Sequence, residues 1–297
     1  MVKVFSTFDD PSQSIAQAVS RSGCSGEIVL LHGTTEGTNS LLERKGARVA
    51  FVTTAGFEDT IEIGRQARPR LYDLTFERVP PLVERGMRFG VPERVSCEGE
   101  VLQRPSRQDL RLLARDVHAS GAESIAVSTL FAFANPDNER AIGRALEELS
   151  LPLSHSHLIL PEFREYERAS TVVVNAYLQP VMQSYLQRLD TRMRQRGLEG
   201  AKASRVFVMQ SSGGITSLES ASRQPVRTVL SGPAGGVVGA AAMARRSGFE
   251  RVITFDMGGT STDVALVSGE PKPSNEAEVA GLPVRVPMLD IHTVGVT

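Results

Sequence analysis

The sequence predicts an α/β protein with mixed or parallel sheets. Two stretches carry this reading, in each of which an apolar β-branched run, a helical run and further apolar residues follow one another. A third apolar run, residues 252–255, ends in an aspartate and two glycines. With 297 residues, 41% of them hydrophobic, the chain can bury a sizeable core.

From the N-terminus, EIVLL at 27–31 predicts a buried strand, HGTTEG its exit loop, 38–45 a helix stopped by Gly46, and RVAFVT at 48–53 the next strand. Residues 64–108 mix arginines with scattered prolines and predict an insertion of irregular surface or short hairpins. A second βαβ unit follows: a strand at 124–130, Asn135-Pro136 as cap and first turn, and a helix over 137–149 that ends before Pro152. Residues 165–198 form the longest helical stretch, with Val172, Val173, Ala176, Tyr177, Val181, Tyr185 and Leu186 at helical spacing and Pro180 expected to kink or divide it. RVFVM at 205–209 is a further strand, followed by a QSSGG turn.

Charge argues against two classes of partner. Lys+Arg number 33 against 34 Asp+Glu, so the chain lacks the basic footprint of a nucleic-acid binder and any polybasic face for anionic lipid. A small molecule or a protein is the expected partner. Cys24 and Cys97 have no metal-ligand spacing, MVKVFSTFDDPSQS has no signal-peptide apolar core, and no apolar run approaches spanning length; a cytoplasmic protein is expected.

The stretch FDMGGTSTD at 255–263 carries the chemistry. A carboxylate at the carboxyl end of a buried strand faces the crevice where α/β sheets bind ligands. Gly258 and Gly259 remove side chains, so backbone N–H groups can approach an anion, and Thr260, Ser261 and Thr262 add hydroxyls. Asp256 beside such a nest would hold Mg²⁺ through its waters. The plain alternative is a tight hairpin whose glycines supply φ > 0 and whose Asp and Thr cap the turn. There is no GxxxxGK[ST] and no GxGxxG opening a helix, which excludes a P-loop and argues against a dinucleotide fold.

DMGGTSTD resembles the second phosphate hairpin of the actin-like ATPase superfamily. HGTTEGTNSLLERKGARVAFVTTAGFEDTIEIGRQ, PEFREYERASTVVVNAYLQPVMQSYL, SSGGITS, SGPAGGVVGA, FDMGGTSTDVALV and LDIHTVG, in that order, resemble the hydantoinase A/5-oxoprolinase/acetone carboxylase family over almost the whole chain. The resemblance implies a ribonuclease-H-like, actin-like ATPase fold. It also implies an N-terminal family domain at 1–178 and the start of the core domain at 179–297.

The activity implied is ATP-dependent opening of a cyclic amide such as a hydantoin or 5-oxoproline, with a B-type partner subunit. The alternatives are acetone carboxylase-type ketone activation and a non-catalytic scaffold. On this reading ATP and Mg²⁺ are the cofactors, with Asp256 positioning the metal and Asp263 supporting the hairpin or a metal water. Gly258, Gly259 and Thr260, with Ser261 and Thr262, bind phosphate, and Gly235 and Gly236 lie close to the nucleotide.

The chain departs from the family pattern at both ends. It opens at VKVFST, which is similar to the strand after the family's first DxGGTFTD hairpin, and it stops at DIHTVGVT within a glycine-rich family segment. An incomplete second lobe, an unpaired strand edge along residues 3–7, weak Mg-ATP binding and no steady turnover are expected.

The other motifs carry two readings each. In HGTT, with His32, Thr34 and Thr35, the hydroxyls can bind an anion at a helix N-terminus or cap the helix. In SGPAGGVVGA, Ser231 is the expected N-cap and Gly235, Gly236 and Gly239 give a thin face for close packing, with phosphate contact second. Glu165, Glu167 and Arg168 predict caps and surface ion pairs rather than catalysis. His155 and His157 offer two ligands without a third. Asp290 and His292, in the family-like LDIHTVG, are second-tier candidates for metal or substrate contact.

Overall fold

The computed structural model describes residues 2–5, 10–24, 28–67, 72, 75, 78–198, 205–257 and 261–295. In chain order these form α1 (Pro11–Arg21), β1 (Val29–His32), α2 (Glu36–Leu42), β2 (Val49–Thr54), β3 (Arg88–Val91), α3 (Arg107–Ala119), β4 (Ser124–Ser128), α4 (Asp137–Leu146) and β5 (Leu153–His155). Next come α5 (Glu165–Leu198), β6 (Arg205–Met209), β7 (Ile215–Ser217), α6 (Ser231–Arg246), β8 (Arg251–Met257), β9 (Ser261–Ser268), β10 (Glu270–Pro271) and β11 (His292–Gly295). Short helical turns and two-stranded ribbons join them. The chain divides into a first unit of Met1–Thr38, Val181–Ser274 and Pro287–Thr297, and a second of Asn39–Pro180 and Asn275–Val286.

The second unit is built on a parallel sheet of order β3-β2-β4-β5. Its central strands β2 and β4 are buried at every residue, as strands covered on both faces must be. One face, including Ala50, Val52, Ile125 and Val127, packs against Leu113 and Val117 of α3 and Ile142 and Leu146 of α4. The α3 N-terminus is fixed by a reciprocal capping box between Ser106 and Asp109, and that of α4 by Asn135 Oδ1, which accepts from the Asp137 N–H at 3.0 Å. The unit β4-α4-β5 is the expected second βαβ.

Helix α5 lies on the opposite face of this sheet, and two contacts with it revise the sequence reading. Pro180 does not divide the helix, which runs unbroken from Glu165 to Leu198. Having no N–H, Pro180 cannot bond Ala176 O, and Ser124 Oγ donates to that carbonyl at 2.8 Å instead. Gly46 is not a helix stop, since α2 ends at Leu42; a Cβ there would lie 2.1 Å from the Tyr177 ring, while Ala47 N–H donates to Tyr177 O at 2.9 Å. Within 64–108, β3 is a true sheet strand beside β2, and among the described residues only Arg94–Val95 with Val101–Gln103 form the expected kind of short ribbon.

In the first unit β1 runs parallel to β6, and β6 antiparallel to β7. The first expected βαβ therefore does not form, because β1 and β2 belong to different sheets. Nor is β1 buried: its burial alternates between exposed and half-exposed residues, the pattern of a sheet edge, whereas β2 needs a neighbour on each side. Helix α1 packs Ile15 and Val19 near Leu189 and Met193 of α5, and Arg192 Nη2 meets Asp10 Oδ2 at 2.5 Å. Residues 2–5 form no strand and Phe5 is 95% exposed, so the expected edge is absent there; residues 6 and 7 lie outside the described residues.

Candidate functional site

The two strands expected around the double glycine are present in the first unit. β8 and β9 are antiparallel in continuous register, with Ile253 opposite Leu266, Phe255 opposite Val264, and Asp256 opposite Asp263. Gly258, Gly259 and Thr260 lie outside the described residues. Because side chains alternate, Asp256 and Asp263 share the face that carries Val252, Ala265 and Val267, which pack on Val237 and Ala241 of α6. The other face carries Ile253, Phe255, Met257 and Leu266, each about two-thirds exposed. β8 is thus covered on one side only, not buried as expected. Asp256 is exposed and forms no ion pair among the described residues.

Helix α6 packs along the face that carries the two aspartates. Its C-terminal Arg245 bonds Gly269 O and Glu270 Oε1, which places that end of the helix beside the far end of β9. The chain then turns back through β8. Sixteen helical residues rise about 24 Å, and the seven residues of β8 span about 23 Å. The helix therefore runs antiparallel to β8, with its N-terminus, the positive end of its dipole, toward the end of the hairpin that carries Asp256 and Asp263.

That N-terminus is joined to the HGTT loop. Thr34 N–H donates to Ser231 Oγ at 3.2 Å, and Ser231 Oγ–H donates back to Thr34 O at 3.0 Å. Thr38 Oγ1 accepts from Leu230 N–H at 3.0 Å, which holds Leu230 at φ 59, a left-handed conformation costing a residue with a Cβ roughly 1 kcal/mol or more. Ser231 is consequently not the N-cap. Leu230 takes that place, and Ser231 is the first helical residue, turned to the neighbouring loop. Thr34 is buried and its Oγ1 accepts from Glu36 N–H at 3.1 Å, capping the start of α2, while Thr35 is exposed.

Close approach falls on other glycines than expected: a Cβ on Gly33 would lie 3.4 Å from Gly232 Cα, whereas one on Gly236 or Gly239 would meet nothing. Gly235 faces only the Met209 side chain.

His32 sits behind this loop, 2.6 Å from the Tyr185 hydroxyl. Burial lowers the imidazole pKa to about 4, so His32 is neutral at neutral pH. Burial also pushes the Tyr185 phenol up to about 12, against a hydrogen bond with Thr34 that works the other way. Tyr185 was invisible as a site residue in the sequence, where it reads only as one apolar position of a long helix.

Asp290 and His292 stand apart from the aspartate pair. Asp290 Oδ2 accepts from Lys272 Nζ at 2.9 Å. His292 is in register with Val264, on the face opposite Asp263, and its side chain is 81% exposed.

In the second unit, EFREYERAS forms no surface cap. Glu167 is buried and holds Arg65 through two bonds of 2.6 and 2.8 Å, and Arg168 is fully buried between Glu165, Thr129 O and Glu162 O. Arg65, Arg78, Tyr166, Glu167, Glu276 and Glu278 line a cavity of about 470 Å³. Among the described residues no helix is long and apolar enough to cross a membrane.

The fold is α/β of the actin-like ATPase type, with mixed and parallel sheets. The nucleotide-free structure of an acetone carboxylase, whose carboxylation is ATP-dependent, matches it with a TM-score of 0.85 at 28% identity, covering 99% of this chain and 44% of that one. The profile described as Hydantoinase/oxoprolinase matches residues 168–297, and that of its N-terminal region matches residues 1–150. The chain belongs to the hydantoinase/oxoprolinase family. It is 34% identical to the 5-oxoprolinase of Saccharomyces cerevisiae over 88% of this chain and 22% of that protein. To the caprolactamase subunit alpha of Pseudomonas jessenii it is 31% identical, over 89% and 38%. The chain spans less than half the length of each.

Proposed function

We propose that this chain binds the phosphates of ATP where the N-terminus of α6 meets the Asp256–Asp263 end of β8 and β9, as part of an ATP-dependent enzyme that opens a cyclic amide. The observation that carries this is the direct opposition of two carboxylates on the sheet face that α6 packs against. The donor set suits magnesium: the carboxylate oxygens of exposed Asp256 and half-buried Asp263, with no sulfur or imidazole on that face among the described residues. Asp256 would hold the ion through its waters and Asp263 would orient one of those waters. When bound, the ion neutralises charge on the phosphates. Gly258, Gly259, Thr260 and Ser261 would supply donors to phosphate oxygens, and Gly235 and Gly236 would keep the first turns of α6 open to them.

A lactam carbonyl is a poor electrophile. Transfer of the γ-phosphoryl group from ATP to its oxygen activates the carbon; water adds there, the C–N bond breaks to leave an amine and an acyl phosphate, and a second water cleaves the acyl phosphate to carboxylate and inorganic phosphate. The protein's part is positioning and charge neutralisation. The names of the yeast and Pseudomonas relatives, both cyclic-amide hydrolases, support this substrate class, and the designation of one as a subunit supports a B-type partner. Activation of a ketone oxygen by the same chemistry is the second reading, favoured by the structural likeness to acetone carboxylase.

The test is calorimetric titration of the chain with Mg-ATP, beside Asp256→Asn and Asp263→Asn. Phosphate release is then followed with 5-oxoproline, caprolactam, hydantoin, or acetone plus bicarbonate, with and without a B-type subunit. Magnesium-dependent ATP binding that both variants weaken at least tenfold is expected. Binding that neither variant changes would overturn the proposal.

A further inference from the structure

The two histidines that lack a third ligand in the sequence acquire one in the fold. In the second unit Glu139, from the first turn of α4, is fully buried against the end of β5. Its Oε1 lies 2.7 Å from His157 Nδ1 and 3.9 Å from His155 Nδ1. One donor atom from each of the three residues falls within 4.8 Å of the others.

Two features separate this cluster from an ordinary buried polar knot. The first is that Glu139 is already well satisfied without His155. Oε2 accepts from Thr129 N–H at 3.2 Å and Ser156 Oγ–H at 2.7 Å, and Oε1 accepts from His157 N–H at 3.1 Å. The second is His155 itself, whose Nδ1 is buried without a hydrogen-bond partner. Leaving such a group unpaired costs roughly 1–3 kcal/mol. The site is also shaped to admit this ring: a Cβ on Gly143 would lie 2.2 Å from His155 Cε1, so only glycine at that point of α4 leaves room. His157 Nδ1 and Glu139 Oε1 are 2.7 Å apart and share one hydrogen bond, whose proton a cation would replace.

We propose that Glu139, His155 and His157 form a binding site for a divalent transition metal, with zinc as the best match to two imidazoles and one carboxylate. Zinc takes such ligands at about 2.0–2.2 Å, which sets them roughly 3.4 Å apart, so small side-chain rotations that open the 2.7 Å Glu139–His157 contact and shorten the 3.9 Å Glu139–His155 separation would form the site. Three protein ligands leave a fourth position for water. The side chains of His155 and His157 are 15% and 8% exposed while that of Glu139 has no exposure, so solvent reaches the site from the imidazole side. A bound ion would displace the proton between His157 and Glu139 and pin α4 to the end of β5. This site is in the second unit and is independent of the phosphate reading above.

The test is titration of the purified chain with Zn²⁺ in competition with a chromophoric chelator, and with Co²⁺ read by its visible absorption. One ion per chain, a tetrahedral Co²⁺ spectrum and a zinc-dependent rise in melting temperature are expected. His155→Ala removes the unpaired ligand and leaves the Glu139 bonds in place, so it should fold with an unchanged circular dichroism spectrum and lose roughly 100-fold or more in zinc affinity. His155→Cys, which restores a ligand, should recover binding. His118→Ala, on a different element, should leave it unchanged. Failure of the wild-type chain to bind zinc or cobalt, or retention of 1:1 binding by His155→Ala, would overturn the proposal.

Discussion

Asp256 and Asp263 are direct cross-strand partners, two carboxylates on one face of an antiparallel pair. Like charges placed this way repel, and nothing in the packing of α6 on Val252, Ala265 and Val267 requires either of them. A cation bound between them, as proposed, would offset that repulsion.

Asp256→Asn should accordingly leave folding stability within about 0.5 kcal/mol of wild type, since the side chain is exposed and a repulsion is relieved. Magnesium with ATP should raise the melting temperature of the wild-type chain and not that of the variant. Thermal melts with and without Mg-ATP check both halves; a variant that melts much lower than wild type without ligand would make Asp256 a structural residue.

His32 makes stability depend on pH. Its pKa is lowered from 6.5 to about 4 by burial, so in the window between those values the unfolded chain takes up a proton that the folded chain refuses. The stability it supports is complete above pH 6.5 and is lost as pH falls toward 4, amounting to about 3 kcal/mol across the window. His32→Gln keeps an acceptor for the Tyr185 hydroxyl but does not titrate. Urea midpoints through this pH range should therefore fall more steeply for wild type than for the variant, and parallel curves would show that the imidazole is solvated.

Part of this architecture is readable from residue pattern alone. The pairing of β8 with β9 follows from two alternating runs around a glycine turn, and β2 and β4 from unbroken β-branched burial. What pattern cannot carry is partnership at long range. β1 looks like the first strand of a βαβ unit, yet it pairs with Arg205–Met209 rather than with the strand that follows it. RFGV at β3 is too short and too polar to stand out, and its place is set by β2 needing a second neighbour. The two aspartates of the proposed phosphate site were visible because they sit in one hairpin. Tyr185 beside His32, Glu139 between two histidines, and Ser124 bonding the carbonyl that Pro180 leaves open all depend on residues far apart in the chain or on different elements.

Gly46 tests a packing claim. A methyl group there would lie 2.1 Å from Tyr177 Cε1, and the ring is held by α5 against the buried sheet. Gly46→Ala should destabilise the chain by about 1–3 kcal/mol through overpacking. Tyr177→Ala opens a cavity and should cost about 3–5 kcal/mol, a range set by large aromatic truncations. The double variant should cost clearly less than the two together, because the added methyl then occupies vacated space. Chemical denaturation of all four chains measures this, and additive costs would mean that residue 46 does not contact the ring.

Arg168 tests whether the start of α5 is a buried clamp or a surface cap. Its guanidinium has no exposed area, donates to Thr129 O at 2.7 Å and Glu162 O at 3.1 Å, pairs with Glu165, and lies 5.2 Å from the Phe133 ring centroid. Burial raises the Glu165 pKa and the charge of Arg168 opposes that rise. Removing the guanidinium leaves a partly buried carboxylate and two carbonyls without their donor, a loss of about 3–5 kcal/mol. Arg168→Lys keeps the charge but cannot reach all three acceptors in one plane, so an intermediate loss is expected. Adding Glu165→Ala to Arg168→Ala should recover part of the stability, since the stranded carboxylate is then gone, although the Phe131 N–H that Glu165 accepts from at 3.3 Å loses its partner too. Urea unfolding of the single and double variants decides between the readings: a loss below about 1 kcal/mol for Arg168→Ala, the size of an exposed ion pair, would place the guanidinium in solvent.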